Sequence, residues 1–182
     1  MSKHRIAKAK ASVSAKETEE LRTGKKALSR KLRAKEQTSS VAFSEAEESA
    51  LLRILGVLET GFLAVIADGV LHQAEFRNLG VNFAAWLEQD VSADDLGEVL
   101  AGFADHLEED GLEGRLEYLA GALDENSRDV AYGFACMLVA CDGSVTGDEL
   151  GVLARIAGAF GIPAEDAKAR FLGIVDLVAQ SA

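Results

Sequence analysis

From residue 44 onward, apolar residues recur three and four positions apart in long runs, and short polar or glycine-containing breaks separate the runs. That period is helical, and no stretch alternates in the way a half-buried strand does. Ser44-Glu45-Ala46-Glu47 has the form of a capping box opening a helix that runs to about Ala67. A second helix is predicted from near Gln73 to Glu88, with Phe76, Leu79, Phe83 and Leu87 on one stripe. Ser92 begins a third, carrying Leu96, Val99, Leu100 and Phe103, and Asp110-Gly111 breaks it from a fourth over about Leu112 to Leu123. Asn126 starts a fifth that ends at Cys141, and Thr146 starts a sixth that ends near Phe160-Gly161. Pro163 fits the first turn of a seventh. The fold class expected is therefore all-α, a compact bundle of about seven helices.

Two of the breaks are alike. Ala67-Asp68-Gly69-Val70-Leu71-His72-Gln73-Ala74-Glu75 and Cys141-Asp142-Gly143-Ser144-Val145-Thr146-Gly147-Asp148-Glu149 share Asp-Gly, an aliphatic residue three positions after the Asp, and a Glu seven after it. Aligning Asp68 with Asp142 also aligns Leu79 with Leu153, which predicts a duplicated helical unit with an internal pseudo-twofold. In each corner the glycine can close one helix and the polar cluster can open the next. Thr146 and Glu149 form a second capping box. Glycines inside the predicted helices, such as Gly56, Gly61, Gly121, Gly133 and Gly158, each cost about 1 kcal/mol relative to alanine. Close helix approach is the expected compensation.

Charge divides the chain. Residues 1–40 hold 12 Lys and Arg against 4 Glu, a net of +8, whereas residues 41–182 hold 7 against 26, a net of −19. The first stretch has few core-forming side chains and reads as a basic, flexible or partly helical tail, with Leu21, Leu28 and Leu32 able to line one side of a short helix. Such a tail could contact an anionic surface, whether membrane, nucleic acid or an acidic partner, or fold back on its own acidic body. The body itself, at −19, repels phosphate and is not expected to bind nucleic acid.

Cys136 and Cys141 lie five apart on one predicted helix, so their side chains diverge by about 140° and free thiols are expected. Free thiols, with no signal-peptide-like run and no membrane-length apolar stretch, place the protein in the cytoplasm. A phosphate-binding glycine loop, a zinc-spaced Cys and His cluster and a nucleophile elbow are all missing from the sequence, so no enzyme is expected.

The helical pattern with its two corners resembles the TerB-like family, named for tellurite-resistance proteins, over roughly residues 45–180. The resemblance rests on Ala64-Val65-Ile66-Ala67-Asp68-Gly69 with Glu75, on Leu138-Val139-Ala140-Cys141-Asp142-Gly143 with Val145, Thr146, Glu149 and Leu150, and on Leu153 to Ile162 as a closing helix junction. It implies a non-enzymatic module of tellurite, phage or chemical stress responses, working beside protein partners that are often membrane-associated. It also implies an acidic metal site whose ligands here are Asp68, Glu75, Asp142 and Glu149. His72 and Cys141 depart from the family pattern, and the basic tail lies outside it.

The residues give that site a physical rationale of their own. Four carboxylates in one small volume would repel, by about 4 kcal/mol for each pair 4 Å apart at an effective dielectric of 20. An all-oxygen set favours Ca²⁺, Mg²⁺ or Mn²⁺. Neither corner could hold an ion as a calcium-binding EF-hand loop does, because Ala64, Ile66, Leu138 and Ala140 stand where that loop needs its first carboxylates. Any ion must be shared. A second reading stays open, in which Glu149 and Glu75 simply cap and favour helix starts. A second function also stays open, a metal-free adaptor tethered by its basic amino-terminal segment.

Overall fold

A computed structural model describes residues 13, 17–36, 42–66, 73–87, 96–141 and 145–180, with the side chains of 35, 36 and 73–78 outside the described set. Its described helices are α1 (Glu19–Glu36), α2 (Glu45–Val65), α3 (Gln73–Leu87), α4 (Gly97–Ala122), α5 (Glu125–Cys141), α6 (Gly147–Ala159) and α7 (Ala164–Ala179). Among the described residues there is no strand, and the bundle is all-α. No described helix is long and apolar enough to cross a membrane.

Two helices are buried around their whole circumference in their carboxy-terminal halves, and both are central. Every residue of α2 from Gly56 to Ala64 is buried, as is every residue of α5 from Phe134 to Cys141. A helical stretch that is almost wholly apolar has to be enclosed, and here Glu59 and Thr60 are the polar residues enclosed with it. The two pack against each other, with α1 and α4 on α2, α7 on α5, and α6 touching both. Gly61 sets how near they come, because a Cβ there would lie 2.7 Å from Leu138 Cδ1 and 2.8 Å from the Phe134 ring. Phe134 in turn meets Trp86 and Phe83 of α3, with ring centroids 4.5 and 5.4 Å away.

Both predicted capping boxes are present. The Ser44 hydroxyl accepts from the Glu47 amide while the Glu47 carboxylate accepts from the Ser44 amide, and Thr146 and Glu149 exchange the same pair of bonds. The expected break at Gly111 is a kink within α4, where φ is 66° and ψ is 170°. Pro163 occupies the N-cap of α7, one position before the first turn. The start of α5 lies slightly earlier than expected, because Asp124 is its cap and accepts from the Ser127 amide at 2.7 Å. Close approach accounts for glycine at Gly56 and Gly61 but not at Gly121 or Gly158, where a Cβ would meet nothing within 4 Å.

The basic amino-terminal stretch contributes to the core. Leu21 and Leu28 of α1 are fully buried, Leu32 packs beside them, and at Gly24 a Cβ would stand 2.2 Å from the Ala50 carbonyl oxygen of α2. Of the alternatives for this stretch, folding back on the acidic body is the one that α1 adopts. Lys25 is also buried there. Its Nζ lies 2.7 Å from Glu17 Oε1, 2.8 Å from the Trp86 carbonyl oxygen and 3.9 Å from the Trp86 ring centroid. Because Trp86 is in the last turn of α3, which has no basic residue of its own, Lys25 supplies the positive charge that a helix carboxy terminus favours.

Candidate functional site

The two Asp-Gly corners leave from the carboxy ends of α2 and α5, so the relative direction of these helices decides whether the corners can meet. Near the start of α2, Arg53 Nη1 is 3.0 Å from Asp124 Oδ2, and a Cβ on Gly56 would touch Leu123 and Leu119. Farther along, Gly61 faces Phe134 and Leu138. Contacts that advance along both helices together mean that α2 and α5 run parallel. Ile66 and Cys141, the last described residues before each corner, therefore lie at the same end of the bundle. Packed helices are spaced by roughly 8–10 Å, so the corners start about one helix spacing apart.

Of the four expected ligands, Glu149 is the one whose side chain is described. It sits in the first turn of α6, largely buried, and its Oε2 accepts from the Thr146 amide at 2.7 Å and from the Thr146 hydroxyl at 2.9 Å. The capping reading of this residue is thus satisfied through Oε2. Glu75 lies in the first turn of α3, with its side chain outside the described residues. Asp68, Asp142 and His72 lie outside them altogether. Among the described residues, no group of three or more His, Cys, Asp or Glu side chains could hold a metal. What is described of the site is the course of the two helices that lead to the corners and the engagement of one Glu149 oxygen by Thr146.

Two cysteines lie on the helix that leads to the second corner. Cys136 and Cys141 are both buried. Burial pushes the Cys136 thiol up to about 12, more than its hydrogen bond to Tyr132 and the charge of Arg170 lower it. Held protonated, the Cys136 thiol is neither a nucleophile nor a metal ligand.

Sequence reasoning missed a polar cluster built from residues far apart in the chain. Arg115 of α4 is buried and grips Glu59 of α2 with two hydrogen bonds, Nε to Oε1 at 2.8 Å and Nη2 to Oε2 at 3.0 Å. Its Nη1 donates to Asp110 at 2.9 Å, and its guanidinium stacks 4.4 Å from the Tyr118 ring centroid. Burial alone would lower the arginine pKa, but the hydrogen bonds to Glu59 and then Asp110 outweigh it and raise it. His106 Nδ1 stands 3.8 Å from the same Glu59 oxygen. The available signal was Glu59 itself, a lone charge in the most apolar run of the chain. Such a charge needs a partner when it is buried.

Compared with known protein families, with curated proteins and with solved structures, the chain has no significant match.

Proposed function

We propose that the chain is a non-enzymatic scaffold or sensor module of the TerB-like, stress-response kind, holding one divalent cation between its two Asp-Gly corners and docking protein partners through its acidic surface. The observation that supports this most is the parallel course of α2 and α5, which starts both corners from one end of the bundle. Asp68 and Glu75 from one corner, with Asp142 and Glu149 from the other, would supply oxygen ligands suited to Ca²⁺, Mg²⁺ or Mn²⁺. Because the hydrogen bonds of the Thr146 cap converge on Oε2, Glu149 would offer the ion Oε1. A bound ion would relieve repulsion among the carboxylates and fix the corners relative to each other, making the acidic end a surface that responds to metal. The partners in this reading are proteins, including membrane-associated ones, on the cytoplasmic side. Calorimetric titration with Ca²⁺, Mn²⁺ and Mg²⁺ tests it. Heat of binding should appear with at least one ion and vanish in Asp68→Asn/Asp142→Asn, and binding that survives in the double variant places the ion elsewhere.

A second reading is favoured by α1, which is anchored on its buried side while Arg22, Lys26 and Arg33 are exposed. That cationic face would tether the body to an anionic membrane or nucleic acid without any metal. Because α1 belongs to the core, charge reversal at exposed positions is the clean test, not deletion of residues 1–40. Arg22→Glu/Lys26→Glu should keep the melting temperature and lose any salt-sensitive binding to anionic vesicles or DNA. Equal binding by the parent and the variant contradicts this reading.

A further inference from the structure

A cavity of about 590 Å³ lies between α1, α2 and α4. Its walls are apolar, formed by Leu28 and Leu32 of α1, Leu55 of α2, and Val99 and Phe103 of α4, while Lys31, Glu98 and His106 also line it. An apolar cavity of this volume with a few polar groups is the usual form of a small-molecule site. We propose that it binds a molecule with one apolar chain and a carboxylate head, of the fatty-acid type, independently of the corner carboxylates.

The charges around the cavity decide the head group. Glu59, the buried acid nearest His106, is held by both arms of the Arg115 guanidinium, and that guanidinium also holds Asp110. Glu98 is engaged in an interaction of its own. Lys31, on the basic helix, makes no hydrogen bond or ion pair among the described residues, and like His106 it lines the cavity, the one from α1 and the other from α4. An ammonium and an imidazole at the exposed rim of an apolar pocket would receive a carboxylate, with the chain against the leucines and Phe103.

Gly102 bears on the room in the cavity. It sits inside α4 with ordinary helical geometry, where glycine weakens a helix. A Cβ there would meet nothing within 4 Å, so helix packing does not call for glycine, yet Gly102 lines the cavity wall. A larger side chain at this position would occupy the space.

The test compares dodecanoate, dodecan-1-ol and dodecylammonium by calorimetry on the full chain, each below its micelle-forming concentration. One dodecanoate should bind per chain, at least about tenfold more tightly than the alcohol, which corresponds to one charge-assisted hydrogen bond. Lys31→Met should reduce dodecanoate to the level of the alcohol. Gly102→Leu should keep its melting temperature and lose both ligands, while Asp68→Asn/Asp142→Asn should bind as the parent does. Equal affinity for acid and alcohol, preference for the ammonium, no heat with any of the three, or undiminished binding in a folded Gly102→Leu would each overturn the proposal.

Discussion

Arg115 and Glu59 are separated by 56 positions in sequence and joined by two parallel hydrogen bonds within the core. Desolvating both charges offsets much of their attraction, so the intact pair contributes little net stability, but removing one partner strands the other. Glu59→Ala should therefore destabilise the fold by about 3–5 kcal/mol in chemical denaturation. A loss below about 1 kcal/mol would mean that Arg115 reaches water. Asp124 makes a prediction of the opposite kind, visible in its pH dependence. Burial would raise its pKa, but the amide and hydroxyl of Ser127, then Arg53 and Arg128, hold it below the ordinary 3.8. A depressed carboxylate stabilises fully above its unfolded value and loses that contribution as pH falls through the folded one. The parent should exceed Asp124→Asn in stability at neutral pH, and the two should converge in acid. A gap that persists in acid would contradict the assignment.

Among the elements, α1 is where sequence and structure part most. Its leucines were visible at spacings of seven and four, but Lys25 and Ser29 occupy buried positions beside them, and buried lysine is rare enough that composition argued for a solvated tail. What makes the burial tolerable lies elsewhere in the chain. Glu17 and the carbonyl of Trp86 satisfy the ammonium, and neither could be assigned to it from spacing. By contrast, the two capping boxes and the break at Gly111 were legible because their chemistry is local, complete within four residues or one backbone angle. The Asp124 cap was missed because Asp124, Asn126 and Ser127 offer three capping side chains within four residues. Two stability measurements follow from these elements. Leu21→Ala and Leu28→Ala should each cost about 2–5 kcal/mol, as core leucines do, whereas a detached tail would show almost no change. Gly111→Ala should cost about 1–3 kcal/mol because φ of 66° with ψ of 170° is a glycine conformation. A neutral effect would mean that α4 runs straight.

For the molecule as a whole, the charge division of the sequence becomes a spatial arrangement. The basic helix lies on the acidic body, with Arg30 paired to Glu47 and Arg53 of α2 bridging Glu20 of α1 and Asp124 of α5. These exposed pairs are each worth little, and salt should weaken them. The candidate site was legible as a motif, since the repeated Asp-Gly corner with its Glu can be read directly. The corner residues 67–72 and 142–144 lie outside the described residues; the parallel packing of α2 and α5 that leads to them was not legible, because it is fixed by contacts between distant residues such as Gly61 with Phe134 and Leu138. Sharing of a single ion by two corners has a distinctive signature. Titration of the intact chain with Mn²⁺, followed by calorimetry or by electron paramagnetic resonance of the free ion, should give one site per chain, and Asp68→Asn and Asp142→Asn should each weaken it severely on their own. Two sites, or a site that survives unchanged when either corner is altered, would contradict the shared cation.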